Sequence, residues 1–340
     1  MTNLLAPPRS TTMELAQMPS NTVFALPQKT SAPTALQTVN LTKNYGNFVA
    51  LDNVSINVSQ GDIYGLVGRN GAGKTTLFKC VMGLTNPSSG QVLLGGEARH
   101  LDAHRREMGF MISPSFFPYL NPMENLQYLC RVKGINGAAR NREVNRLLDL
   151  VGLAGVDKPF KAFSLGMKQR LGIAGALLGS PQMVILDEPI NGLDPQGIID
   201  IRKIISEVHA TQGTTFIVSS HILAELDLVA TKFGFIDHGK LLQEVSHSEL
   251  HQQTQRTLEI VSDDPARAAQ LLQAAGVAPE TMEVHVDESA GYPEYTLVLN
   301  EGMSRSAEFT NLLVTNGISV SDIHRKETTL EDYFMNLVGE

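Results

Sequence analysis

The sequence predicts an α/β fold: a parallel sheet covered by helices, followed by a smaller α+β unit. Three observations carry this. Short apolar runs alternate with helical periodicity between residues 183 and 237, the order produced by a parallel sheet with helical crossovers. A glycine-rich turn joins the apolar run 63–67 to a helical segment. Beyond residue 250 the register starts afresh, with its own strands and helices.

Residues 1–36 hold five prolines and nine serines or threonines but only three charges, Arg9, Glu14 and Lys29. With no strand or helix period, this segment is expected to be flexible. Strands follow at 38–43, 54–58 and 63–67, then a helix from about 73 to 83 and a short strand at 90–96. Asn121, Pro122 and Glu124 mark a helix start, with Asn121 as N-cap and Glu124 three residues on. Lys133-Gly134 ends that helix. Further helices are expected at 140–151 and 166–179, the second stopped by Pro181. Strands 183–187, 214–219 and 233–237 then alternate with helices 195–210 and 222–231. In the tail, strands at 257–261, 282–286, 295–299 and 318–323 interleave with helices at 266–275 and 305–315. That β-α-β-β-α-β order is the ferredoxin-like one. Thr328 and Glu331 form a capping box for a last helix ending near Val338. The expected organisation is a flexible segment 1–36, a main domain 37–250 and an accessory domain 251–340.

Composition limits the function. A length of 340 residues accommodates one large domain and a smaller one. Hydrophobic residues at 42% and charged residues at 18% are ordinary for a soluble globular chain, and a net charge of -8 argues against a nucleic-acid partner. Cys80 and Cys130 have neither metal nor redox spacing and read as buried reduced thiols. The most apolar run, 171–186, is interrupted by Ser180, Pro181 and Gln182 and is too short to span a bilayer. The N-terminus lacks the apolar core of a signal peptide. Contact with a membrane is therefore expected to pass through a partner.

Gly68-Arg69-Asn70-Gly71-Ala72-Gly73-Lys74-Thr75 follows the apolar strand 63–67 and opens a helix, the setting in which G-x-x-x-x-G-K-[ST] binds phosphate. Backbone N–H groups freed by the glycines curl round a β-phosphate, and the helix N-terminus adds partial positive charge. Lys74 is expected to reach the β- and γ-phosphates and Thr75 to ligate Mg²⁺, with Thr76 completing the ATP-binding stretch. The run 183–186 then delivers Asp187 and Glu188 at a strand's C-terminal end, where ligands of parallel sheets bind. Asp187 is placed to hold Mg²⁺ and Glu188 to polarise an attacking water. Two carboxylates ending an apolar strand can also be no more than a solvated strand end.

Ahead of that strand lies Phe163-Ser164-Leu165-Gly166-Met167-Lys168-Gln169-Arg170. Here the chain resembles the ABC transporter ATPases, whose signature, Leu-Ser-Gly-Gly-Gln, stands at this distance from the acidic strand. Ser164 and Gly166 match it; Leu165 and Met167 depart from it. Tyr45 resembles the family's adenine-stacking aromatic, the loop ending at Asp194 resembles the one joining two subunits' sites, and His221 resembles the histidine that contacts the γ-phosphate. The family's Gln that touches Mg²⁺ is missing. In 108–114 Ser113 or Pro114 stands there, and the Ser113 hydroxyl can still ligate the metal, directly or through water, but more weakly than the Gln.

The resemblance implies a P-loop NTPase of ABC type, with a parallel sheet core, an antiparallel β subdomain and a helical signature subdomain. ATP and Mg²⁺ are the implied cofactors. It also implies a dimer with itself or a homologue around two ATP, and a separate membrane permease that holds the chain at the cytoplasmic face. The strings around the signature, Asp194 and His221 are similar to the bacitracin-resistance and lantibiotic-immunity exporters, which implies a peptide antibiotic or other amphiphile as cargo. Helix 122–133 and Phe116-Phe117-Pro118-Tyr119 either contact the permease or pack inside the helical subdomain. The rival readings are a soluble ABC-type ATPase acting on a non-membrane partner and a catalytically weakened regulatory module. Only 113 residues separate Lys74 from Asp187, too few for the long coiled coils of DNA-organising relatives. The tail holds no phosphate cradle and is expected to regulate or dimerise. Glu301 and Glu331 read as its solvated surface, and Leu258, Ile260, Leu271, Leu272, Leu297, Leu299, Leu312 and Leu313 as its core.

Overall fold

Alternating buried and half-exposed side chains build β1 (Thr34–Tyr45) in the computed structural model, which describes residues 32–253, 256–279, 282–287, 294–299, 305–327 and 330–339. β1 pairs with β2 (Phe48–Val54), β3 (Asn57–Ser59) and, after a phosphate-loop excursion, β5 (Ser89–Leu94) in an antiparallel sheet. Ala35 and Leu36 are buried there, so residues 34–36, expected to be flexible, are part of the first sheet. The strand expected at 54–58 is two strands, because the Thr38 hydroxyl breaks the ladder between them, donating to Val54 O and accepting from the Ile56 N–H, both at 3.0 Å.

The chain then runs through β4 (Ile63–Val67), α1 (Lys74–Val81), α2 (Leu101–Glu107), β6 (Gly109–Met111), α3 (Pro122–Val132), α4 (Gly137–Leu150) and α5 (Leu165–Ala176). Next come β7 (Met183–Leu186), α6 (Pro195–Gln212), β8 (Thr215–Ser220), α7 (Leu223–Asp227), β9 (Lys232–Asp237) and β10 (Lys240–Ser246). The second sheet has the order β10-β9-β4-β8-β7-β6, parallel except for the hairpin edge β10. Its central strands are buried on both faces, which explains their unbroken apolar runs. Period-two alternation divides each between two cores. Met183 and Ile185 face the antiparallel sheet and α1, whereas Val184 and Leu186 face α3 to α6. The capping box at Asn121 and Glu124 forms as read, with bonds of 2.9 Å in each direction. The expected helix 222–231 is only α7, since residues 228–230 fold into a turn on Leu226 O.

Beyond α8 (His247–Gln253) come β11 (Arg256–Ser262), α9 (Pro265–Ala274), β12 (Met282–Asp287), β13 (Glu294–Leu299), α10 (Ser306–Thr315), β14 (Val320–Glu327) and α11 (Leu330–Val338). The sheet order β12-β13-β11-β14, antiparallel throughout, is that of a ferredoxin-like unit. Leu258, Ile260, Leu272, Leu297, Leu299 and Leu313 form its core, with Leu271 and Leu312 packed against it. Thr328 and Glu301 lie outside the described residues.

α11 leaves this unit and returns to the main sheet. Leu330, Tyr333, Phe334 and Leu337 pack on the core that contains β9. The rings of Tyr333 and Phe334 sit 5.7 and 5.9 Å from Phe235, and the Tyr333 hydroxyl donates to Gln243 at 2.7 Å. Glu331 is exposed, as expected, and accepts from the Ala224 N–H on α7 at 3.3 Å. Among the described residues, no helix is long and apolar enough to cross a membrane.

Candidate active site

The loop of residues 68–75 is shaped by two close approaches. A Cβ on Gly68 would lie 2.3 Å from the Ile236 carbonyl oxygen, and Gly73, at φ 110°, has room only for hydrogen towards Ala50 O. Bulkier residues would push the loop off the strands, so its backbone is held open as a cradle. Lys74 is buried and sends its ammonium back along the loop, donating to Arg69 O at 3.1 Å and to Gly68 O.

Two strand ends complete the site. From β7, Asp187 accepts from the Thr75 hydroxyl at 2.6 Å and from the Ser219 hydroxyl of β8 at 2.6 Å. Glu188 follows in left-handed backbone, φ 48°, a conformation that costs a non-glycine residue on the order of 1 kcal/mol. The Ser219 oxygen accepts from the Glu188 N–H at 2.8 Å and holds that bend. The bend turns the Glu188 carboxylate inward, 3.0 Å from Lys74 Nζ on one side and 2.9 Å from His221 Nδ1 on the other. Lys74, Thr75, Asp187, Glu188 and His221, read as separate motifs, thus form one connected network.

The network suits a phosphate and a hard cation. Glu188 Oε1 is buried and has no hydrogen-bond donor, its contact with Lys74 being an ion pair alone. Thr75 and Asp187 offer adjacent oxygens, the donor set Mg²⁺ prefers. A cleft of about 320 Å³ runs along residues 69–76 and Glu188.

The other expected residues fall elsewhere. Phe48 and Ala50 line the cleft, while Tyr45, paired with Phe48 across the β1–β2 hairpin, is exposed beneath the Lys43 ammonium at 4.9 Å. Ser113 is exposed in the loop after β6. It lines a different groove, of about 360 Å³, with Phe110, Phe116, Leu129 and Val132. Ser164 caps α5 by accepting from the Met167 N–H at 3.3 Å, and Leu165 is exposed. Asp194 caps α6 through the Gly197 N–H. A Cβ on Gly192 would meet Leu165 at 3.1 Å, and one on Gly166 would meet Leu193 at 3.8 Å, so the loop before Asp194 and the signature share one surface. None of residues 164–167 lines the phosphate cleft.

The aromatics of 116–119 divide. Phe116 packs inward on Phe160 at 5.2 Å, whereas Phe117, Tyr119 and Tyr128 form an exposed cluster. Sequence reasoning missed Ser219 and Phe48. The Ser-Ser pair before His221 and the second aromatic three residues after Tyr45 were the available signals.

Comparison with known proteins agrees with this geometry. A family model described as ABC transporter matches residues 51–191. The chain is 37% identical over 310 residues to the bacitracin transport ATP-binding protein BcrA of Bacillus licheniformis, covering 90% of this chain and 98% of that one. It is 41% identical over 210 residues to the lantibiotic transport ATP-binding protein SrtF of Streptococcus pyogenes, covering 62% and 90%. Among solved structures, CbiO1 of Clostridium perfringens, part of the ABC transporter complex CbiONQ, superposes with a TM-score of 0.59 at 27% identity, over 65% of this chain and 92% of that one.

Proposed function

Since the chain belongs to the ABC transporter ATP-binding proteins and is an ATPase of that family, we propose that two copies close around two ATP molecules and drive a separate membrane permease. The observation that carries this reading is the division of the site. The phosphate cleft is lined by Lys74, Thr75 and Glu188, with Asp187 and His221 bonded to them from the strand ends, while Ser164 and Leu165 are exposed and Gly166 lies beside the loop ending at Asp194. A second copy, turned face to face, brings its signature over the first copy's γ-phosphate. Ser164 spends an oxygen lone pair on the Met167 N–H, so its O–H remains to donate to phosphate.

Thr75 and Asp187, with Ser113 as the further candidate ligand, would hold Mg²⁺, which when bound would supply neutralisation of the phosphate charge. The chain's own residues do the rest. Lys74 exchanges its ion pair with Glu188 for the β- and γ-phosphate oxygens, which frees Glu188 Oε1 to accept from a water. His221 keeps the other carboxylate oxygen fixed at 2.9 Å, so Glu188 orients that water in line with the phosphorus. Tyr45 or Phe48 supplies the aromatic face for adenine.

The permease reading rests on the groove between the loop after β6 and helices α3 and α5, together with the exposed Phe117, Tyr119 and Tyr128. Exposed aromatics beside an apolar groove suit a short amphipathic helix of a membrane protein. Such a partner holds the chain at the cytoplasmic face of the membrane. The relatives named for bacitracin and lantibiotic transport support a peptide antibiotic or similar amphiphile as the exported cargo. The test is Glu188→Gln in the full chain. ATP hydrolysis should fall by about 10²–10⁴-fold while ATP binding and an ATP-dependent dimer persist, and adding Ser164→Arg should abolish that dimer. Hydrolysis at the wild-type rate, or a monomer at saturating ATP, overturns the reading.

A further inference from the structure

A second cluster stands apart from the phosphate cleft. Asp227 ends α7, and His247 and His251 lie one turn apart on α8. One carboxylate oxygen of Asp227 is 3.3 Å from His247 Nε2 and 2.9 Å from His251 Nε2, and the three donor atoms all lie within 4.8 Å of one another. The imidazole rings lie 4.4 Å apart between centroids, their planes tilted by 47°. We infer that Asp227, His247 and His251 bind a first-row transition-metal cation of the zinc type, and that the ion fastens α7 to α8.

The spacing suits that ion. Nitrogen and oxygen donors at about 2.0–2.1 Å from a tetrahedral Zn²⁺ sit about 3.3 Å from one another. The two Asp227–histidine separations, 3.3 and 2.9 Å, lie at and just below this value, so an ion enters with small side-chain shifts. Ligand chemistry excludes confusion with the nucleotide's cation, because two imidazoles select Zn²⁺, Ni²⁺ or Co²⁺ over Mg²⁺.

The donors are also held rather than loosely displayed. Leu250, fully buried between the two histidines in sequence, anchors α8 to the main core. Ser246 and Glu249 exchange hydrogen bonds across the start of α8, and the His247 N–H donates to Thr231 O at 2.9 Å. His247 and His251 remain partly open to solvent, which gives the ion a path in and leaves a position for water.

The placement gives the ion a purpose. α7 starts two residues after His221, and α8 leads into β11 of the accessory unit. A metal bridge therefore ties the segment that follows His221 to the root of the C-terminal sheet.

The experiment uses the full chain without a histidine tag, titrated with Zn²⁺ by calorimetry and with Co²⁺ by visible absorption. The expected result is one ion per chain and Co²⁺ bands of a four-coordinate nitrogen–oxygen site. Asp227→Asn, His247→Ala and His251→Ala should each weaken binding by at least about 10–100-fold. His324→Ala removes a histidine lying between the carboxylates of Asp322 and Glu259, and Lys74→Ala disables the phosphate cleft; both should leave the affinity unchanged. Circular dichroism checks that each variant is folded, and the surface variant His251→Gln serves if His247→Ala is not. Equal Zn²⁺ affinity in wild type and in the His251 variants, or no stoichiometric binding by the wild type, overturns the proposal.

Discussion

Replacing Ser219 by alanine should damage hydrolysis and stability together. The hydroxyl is fully buried, donates to Asp187 at 2.6 Å and accepts from the Glu188 N–H at 2.8 Å. A hydrogen bond to a charged group contributes about 1.5–3 kcal/mol net, and an abandoned buried N–H costs a further 1–3 kcal/mol or so. Water admitted to the alanine's space recovers part of this, so the expected loss is about 2–4 kcal/mol. At about 2–4 °C per kcal/mol for a domain of this size, melting should fall by about 4–16 °C. Glu188 also loses the bond holding its left-handed bend, so kcat should fall about tenfold or more while the KM for ATP, set by the loop at 68–75, changes little. The neighbouring Ser220→Ala is the control. Among the described residues, Ser220 Oγ accepts from the Ile222 N–H at 2.9 Å, a neutral local bond of about 0.5–1.5 kcal/mol. Phosphate release at saturating Mg²⁺–ATP and a thermal melt of both variants decide the matter. If Ser219→Ala keeps the wild-type kcat, or Ser220→Ala lowers it as much, the serine does not position Glu188.

Phe334→Ala should lower stability by about 1.5–2.5 kcal/mol, roughly half the cost of a fully buried phenylalanine, because the ring packs on Phe235 from a half-buried position; a wild-type melting curve would mean that α11 is not docked in solution. A chain ending at Ser248 retains the phosphate cradle and should still bind ATP, but without α11 it should melt lower and dimerise differently; loss of ATP binding from a folded truncation would place the tail in the site. Ser113→Gln should tighten the Mg²⁺ dependence of hydrolysis if the loop after β6 swings to the metal, and an unchanged titration would leave position 113 to the groove alone. Cys80 should resist alkylation at neutral pH in the native chain, since burial raises its thiol pKa against the smaller opposing effect of Lys43; rapid labelling before unfolding would show that α1 opens.

The phosphate loop and the acidic strand end were legible because each is a local demand of the backbone. Only glycine fits at 68 and 73, and only an apolar run can cross the sheet centre before Asp187. The β-α-β-β-α-β order of the tail was legible for the same reason, since each element carries its own periodicity. Contacts between distant positions were not. Ser219 reads as one more residue of an apolar strand, and its role exists only because β8 lies beside β7. β2 and β10, edge strands with mixed burial, lack a clean alternation, and α8, seven residues long, is too short for a helical period to emerge. The capping box of Thr328 and Glu331 announced a last helix, but which core would receive the apolar side chains of α11 was not written in residues 330–338.

That return of α11 has a consequence for biosynthesis. The roughly 90 residues from Leu250 to Val338 leave the ribosome after the ATPase core, and at about 5–20 residues per second they take on the order of 5–18 s to appear. Throughout that interval the nascent ATPase displays the Phe235 side of its sheet without the helix that covers it. A premature stop codon anywhere in the final exposed stretch makes the interval permanent, so late nonsense alleles should burden the cell with aggregation-prone protein despite an intact nucleotide site.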